Sequence, residues 1–224
     1  MSLHVLAIDT TGEFGSIALA GEQGLLEEVA LDSPDGFAHV LFGEIERLLA
    51  RHGLSVEQVD AFASASGPGS FTGVRVGLTA VKGLAEAAGR KVIAVSNLEA
   101  LAWFGSRPLR AAVLDARRGE VYGGVYDAGL RPVQEEVVTK LEDWLAALPQ
   151  GDLEIVTHGL RLDQVARPVL EAPRSLAGSI GRIAFDRLGR GEVLDPAEID
   201  ANYVRRSDAE LLWKDPRPRL QRLP

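Results

Sequence analysis

Two widely separated stretches of this chain open in the same way, and that repetition restricts its fold more than any other feature. Residues 3–9 form a short apolar run ending in Asp9, and residues 111–115 form another ending in Asp115. Two strand-like runs follow each, at 15–20 and 25–31 after the first and at 120–127 and 133–138 after the second. The first triplet leads into an apolar period of helical spacing at 37–52, a strand at 59–66, a second helix at 72–88 and a strand at 91–95. The second leads into a shorter helix at 141–148, a strand at 154–157 and a closing helix at 175–188. A repeated unit of three strands and a crossover implies a mixed sheet with helices on its faces, built twice. The expected architecture is an α/β protein of two lobes, residues 1–105 and a reduced second lobe 106–224 with a basic C-terminal tail.

Composition removes several classes. The 224 residues contain no cysteine, which excludes disulfide frameworks, thiolate metal sites and thiol nucleophiles. Acids outnumber bases 32 to 24, giving a net charge of −8 that disfavours broad contact with nucleic-acid backbones. Positive charge clusters only late, at Arg205 and Arg206 after Tyr203 and at Arg217, Arg219 and Arg222, where a solvated tail or a patch for RNA or an acidic partner are both open. The start of the chain turns polar at Asp9, unlike a signal peptide, and no run approaches ~18 apolar residues, so a soluble, cytoplasmic protein without a membrane span is expected.

Three local features carry candidate chemistry. Asp9-Thr10-Thr11-Gly12 is either a residual phosphate and Mg²⁺ turn or a β-turn bonded to itself. Ser66-Gly67-Pro68-Gly69-Ser70-Phe71-Thr72-Gly73 joins a strand to a helix. Gly67, Gly69, Ser70 and Thr72 there either cradle an anion or let two elements pack closely, with Ser70 or Thr72 as the helix cap. It lacks the lysine of a phosphate-binding P-loop and the spacing of a nucleophile elbow. The third feature is the girth of the two first-half helices. Around 72–88, Arg75, Thr79, Lys82 and Glu86 form a narrow stripe, while Val76, Gly77, Ala80, Val81, Leu84 and Ala87 help make an apolar arc about twice the ~100° that one sheet requires. In the preceding helix Phe37 and Ile45 lie on the apolar stripe, and Ala38 and Phe42 broaden it. These faces either pack on each other or await another polypeptide. His4, His39, His52 and His158 have no metal-ligand spacing, and Arg117 and Arg118 either grip an anion or form an exposed turn ion pair.

Taken in order, Ile8-Asp9-Thr10-Thr11, the loop Ser66-Gly67-Pro68-Gly69-Ser70-Phe71-Thr72-Gly73-Val74-Arg75, Lys82-Gly83-Leu84-Ala85, Val95-Ser96-Asn97-Leu98-Glu99-Ala100-Leu101, Asp115-Ala116-Arg117-Arg118-Gly119-Glu120-Val121-Tyr122 and Tyr203-Val204-Arg205 resemble the TsaB (YeaZ) family over nearly the whole chain. That resemblance implies the actin-like ATPase fold (ASKHA, ribonuclease H-like), duplicated in two lobes. It also implies a non-catalytic role in forming N6-threonylcarbamoyladenosine (t6A) next to the anticodon in tRNA. The catalytic subunit would be TsaD-like and hold the metal and nucleotide, a TsaE-like ATPase would assist, and tRNA would be met through the complex. This chain would carry no cofactor or catalytic residue, and would pair with TsaD, or with itself when alone, through the first-lobe helices (Phe37, Ala38, Phe42, Ile45, Arg75, Val76, Gly77, Ala80, Val81, Leu84, Ala87). It departs from the family at Val156-Thr157-His158-Gly159, where an acid is missing, and lacks a glycine-rich loop at Asp115 and an adenosine turn after Ser175. The alternatives are a self-sufficient actin-fold ATPase or kinase, which Mg-ATP titration tests, and a glycoprotease-like hydrolase, which an active-site serine probe tests.

Overall fold

The computed structural model describes residues 2–204 except Pro34, Asp163, Gln164 and Tyr203; the expectations for Tyr203, Arg205, Arg206 and the basic tail lie outside the described residues. Strand β1 (His4–Asp9) is apolar on both faces and buried on both, as a central strand covered from two sides must be. It pairs antiparallel with β2 (Gly15–Gly21), which pairs with β3 (Gly24–Leu31), and on its other side runs parallel to β4 (Ala61–Ala65) and then β5 (Lys91–Val95). The first sheet therefore reads β3-β2-β1-β4-β5. The second sheet, of β6 (Leu109–Arg117), β7 (Glu120–Asp127), β8 (Pro132–Lys140), β9 (Leu153–Thr157) and β10 (Val169–Glu171), has the order β10-β9-β6-β7-β8 and the same strand directions.

Asp9 and Asp115 fall at equivalent places in the two sheets, opposite Ser16 and Val121 respectively. The likeness reaches the turns. Asp9 Oδ1 accepts the N–H of Thr11 at 2.9 Å, and Asp115 Oδ1 accepts the N–H of Arg117 at 2.8 Å.

Helices α1 (Leu41–Arg51) and α2 (Phe71–Ala88) cover one face of the first sheet. Their Leu41, Ile45, Leu48, Val74, Leu78 and Val81 share a buried cluster with Leu6, Ile8 and Phe62. The expected helix at 37–52 is divided: Phe37–His39 is a separate 3-10 turn, and the α-helix begins only at Leu41. The Phe37 ring lies over Gly15, where a Cβ would meet it at 2.9 Å, so the chain is anchored there before it turns into α1. Helix α2 starts on Ser70, whose hydroxyl accepts the Gly73 N–H at 3.3 Å, and ends at Gly89 with φ 64°, the left-handed cap that glycine adopts without strain.

Between the sheets the two halves exchange helices. Helix α3 (Asn97–Ala102) follows β5 yet packs on β6, β7 and β9, while α5 (Ala177–Arg190) follows β10 yet packs on β1 to β5. Small residues permit the second contact, since a Cβ on Gly181 would lie only 3.3 Å from the Ala20 Cβ and 3.4 Å from the Ala7 Cβ. Arg187 of α5 joins the exchange by gripping both Glu99 oxygens, at 2.6 and 2.8 Å, and donating to the Ala94 carbonyl at 2.7 Å. The closing helix, though placed by sequence in the second lobe, thus completes the covering of the first sheet. On the far face of the second sheet, α4 (Leu141–Ala147) has seven residues against eleven in α1 and buries Trp144, a thinner cover. No described helix is long and apolar enough to cross a membrane.

Candidate functional site

Asp9, Thr10, Thr11 and the loop at 66–73 meet where β1 ends and α2 begins. Asp9 Oδ1 takes both the N–H and the hydroxyl of Thr11, at 2.9 and 2.6 Å. The Thr11 hydroxyl in turn accepts from Asn97 Nδ2 at 2.6 Å, and the Thr11 carbonyl accepts the Ser70 N–H at 2.7 Å. Asn97 also pairs with Gly67 twice, accepting its N–H on Oδ1 at 3.0 Å and donating its own N–H to the Gly67 carbonyl at 2.9 Å. The Thr10 hydroxyl donates to the Gly73 carbonyl at 2.7 Å.

These bonds show how the loop packs on the turn after β1. The N–H groups of Gly67, Ser70 and Gly73 all have partners inside the chain, and so do the hydroxyls of Thr10 and Thr11. Sterics agree. A Cβ on Gly69 would lie 2.8 Å from the Thr11 carbonyl oxygen, and one on Gly73 would overlap the Thr10 carbonyl outright. Gly67, at φ 101°, sits in the left-handed region, and a Cβ there would lie 3.1 Å from the Asn202 carbonyl oxygen. The glycines bring the Thr10–Thr11 turn against the start of α2. Ser70 is the helix cap; Thr72 lies exposed on the first turn of α2.

Asp9 is buried, and burial pushes its carboxyl above the ordinary value of 3.8, partly offset by the Thr11 hydroxyl, the Thr11 N–H and Asn97. A carboxyl raised in this way holds its proton more tightly folded than unfolded, so its burden on stability grows as pH climbs above 3.8. Asp9→Asn keeps an oxygen for Thr11 and removes the buried charge. The variant is expected to melt above the parent at pH 7, with the gap narrowing at pH 4, by fluorimetric unfolding; a variant less stable at pH 7 contradicts this account.

The helix faces are narrower than their composition implies. Ile45, Gly77, Ala80 and Val81 are buried by the chain itself, and we remove them from the expected partner surface. A Cβ on Gly77 would meet Ser64 Oγ at 2.7 Å and Thr10 Oγ1 at 2.9 Å, which shows its smallness serving the sheet. Phe37 is half-buried over Gly15. What stays outside is Ala38, Phe42 at 56% exposure, Arg75, Ala87 and parts of Val76 and Leu84. Phe71, 46% exposed under the Arg75 guanidinium at 3.9 Å, and Gly43 and Gly83, whose Cβ positions face open space, add to this surface. Periodicity alone does not find Gly43 and Gly83, because glycine counts as neither apolar nor polar.

Arg117 and Arg118 hold left-handed φ values of 62° and 56° at the β6–β7 turn, and Arg117 lies 3.8 Å from Glu13 in an exposed ion pair. Among the described residues no three His, Cys, Asp or Glu side chains are placed to hold a metal ion. Asn97 stands in one of the motifs that carry the resemblance, but its role in tying Gly67 to Thr11 is not legible there, since one amide in a six-residue helix carries no periodic signal.

Comparison with known proteins bears on this geometry. The model of the family described as TsaD, tRNA N6-adenosine threonylcarbamoyltransferase, matches residues 35–179. The tRNA threonylcarbamoyladenosine biosynthesis protein TsaB of Bacillus subtilis (strain 168) is 30% identical over 225 residues, covering 94% of this chain and 98% of that protein. The protein of the same description from Escherichia coli (strain K12) is 36% identical over 217 residues, covering 88% and 84%. Among solved structures, YeaZ from Pseudomonas aeruginosa superposes with a TM-score of 0.77 at 31% identity, covering 90% of this chain and 99% of its own. With the repeated sheet order, these matches identify the fold as the duplicated actin-like (ASKHA, ribonuclease H-like) α/β fold.

Proposed function

The chain belongs to the TsaB (YeaZ) family, and from that premise we propose that it is a cytoplasmic, non-catalytic subunit in the formation of t6A in tRNA. The Asp9 turn carries the proposal. In a working nucleotide site of this fold the turn and the loop beside it would offer N–H groups to phosphate, whereas here the Thr11 N–H bonds Asp9, and the Ser70 and Gly67 N–H groups of the loop bond Thr11 and Asn97. The exposed remainder of α1 and α2 then meets a TsaD-like catalytic subunit, or a second copy of the chain when that subunit is absent. Metal, ATP and Mg²⁺ belong to the TsaD-like and TsaE-like partners, and tRNA is contacted through the complex.

Reconstitution tests this reading. Purified TsaD-like and TsaE-like subunits are supplied with threonylcarbamoyl-adenylate and unmodified tRNA, with and without the chain. Omitting it is expected to reduce t6A to background, and Mg-ATP titrated into the chain alone is expected to release no binding heat. Undiminished t6A without the chain, or saturable Mg-ATP binding by it, refutes the proposal.

A further inference from the structure

Glu136, a residue that no part of the proposed function uses, is held by donors from three separate parts of the fold. Ser96 at the end of the first sheet and Tyr126 on β7 both donate to its Oε1, and Asn202, beyond α5, donates to its Oε2 at 2.6 Å. The chain prepares this convergence. The β7–β8 register shifts between the Gly123↔Val137 and Val125↔Gln134 pairs, placing Glu135 and Glu136 opposite the single residue Gly124, and a bulge of this kind re-aims a side chain. Gly124 clears the space, because a Cβ there would lie 3.3 Å from both Glu136 Cγ and the Tyr126 ring. The carboxylate reaches into a cavity of about 560 Å³ between the sheets, walled also by Glu99 and Arg187. Both oxygens of Glu136 and of Glu99 already have donors within the chain, so this wall acts as a fastening.

We propose that Glu136 is a latch that fixes the second sheet relative to the first and, through the start of α3, holds the Asp9 turn and the loop at 66–73 in place. The path is short. Ser96 caps α3 by accepting the Leu98 N–H at 3.1 Å, and the next residue, Asn97, holds both Gly67 and Thr11. Asn202 closes the path from the other end, since its N–H bonds the Ser66 carbonyl at 2.7 Å while its side chain bonds Glu136. Glu136 is therefore a positioning residue, acting on the loop that starts α2 through Ser96 and Asn202.

The chain has no cysteine, so a cysteine pair introduced at the exposed Glu22 and Ala128, one beside each sheet, can be spin-labelled cleanly. The labelled parent is expected to give one narrow distance distribution, and Glu136→Ala a distribution at least twice as broad. In hydrogen exchange the same substitution is expected to speed the amides of Gly67, Ser70 and Asn97 about tenfold or more, leaving β1 protected. Glu136→Gln, which keeps an acceptor oxygen for Ser96 and Tyr126 but replaces Oε2 with an amide nitrogen that cannot accept from Asn202, is expected to lie between, and Asn202→Ala to match it. Should Glu136→Ala misfold, the last two variants decide. An unchanged distance distribution, or exchange altered only in β7 and β8 or uniformly across the chain, overturns the latch.

Discussion

Joining Gly83→Arg to Phe42→Asp is expected to abolish association with a TsaD-like subunit while leaving the chain at least as stable as its parent. Gly83 lies inside α2 with open space at its Cβ, and replacing an interior helix glycine with a side chain gains up to about 1 kcal/mol of helix stability. An arginine there also stands one turn before Glu86, a favourable i,i+3 pairing. Phe42, more than half exposed at 56%, forfeits little packing when replaced. In a complex, both changes force unpaired charge and bulk into a surface that needs ~800 Å² of close fit per partner. Losses of ~2 kcal/mol at each of the two positions weaken binding by roughly a thousandfold. Co-purification and light scattering give the complex; thermal unfolding gives the control. A complex surviving at parental stoichiometry, with the melting temperature unmoved, removes α1 and α2 from the interface. Gly77→Arg or Ala80→Glu cannot serve, since both residues are inside the fold and the variant would lose its complex by unfolding.

Why those two residues misled is a physical matter. A small residue on an apolar arc permits close approach, but the arc does not say to what. Gly77 and Ala80 admit the first sheet, with Ser64, Thr10 and Ile8 filling the space beside Gly77. The succession of elements along the chain and its repeat are more legible, because β1 and β6 each carry a buried apolar run ending in an acid, a pattern that needs only local sequence. Helix α3 was missed because six residues make under two turns, too few for a period to show. The exchange of α3 and α5 between sheets was hidden for a different reason. It depends on which sheet's small residues meet Gly181, a long-range contact that spacing along the chain does not encode. Glu136 belongs to the same class: its aim comes from a bulge, visible only once β7 and β8 are set side by side.

Gly73→Ala is expected to be the most destabilising single-methyl change on α2. The added Cβ would overlap the Thr10 carbonyl oxygen and lie 2.9 Å from the Thr10 carbonyl carbon and 3.1 Å from the Thr11 Cα, all backbone atoms without a rotamer to change. Nor can the turn retreat, since Thr11 is held by Asp9, Ser70 and Asn97. The first turn of α2 must move instead, loosening Val74 and Leu78 from the buried cluster and lengthening the 2.7 Å bond from Thr10 to Gly73. Overpacking against a fixed backbone costs about 3 kcal/mol or more, a fall of roughly 10 °C in melting temperature at this chain length. Two further glycines on the same helix calibrate the effect. Gly77→Ala meets the Ser64 and Thr10 hydroxyls, which can rotate at the expense of their bonds, and is expected to lose less. Gly83→Ala meets nothing and is expected to melt above the parent. All three substitutions exchange the same glycine for the same alanine, so the order Gly83, Gly77, Gly73 in thermal unfolding reports chiefly what each Cβ touches. If Gly73→Ala melted with Gly83→Ala, the turn after β1 would not be seated on α2, and the tight junction at Asp9 would be disproved.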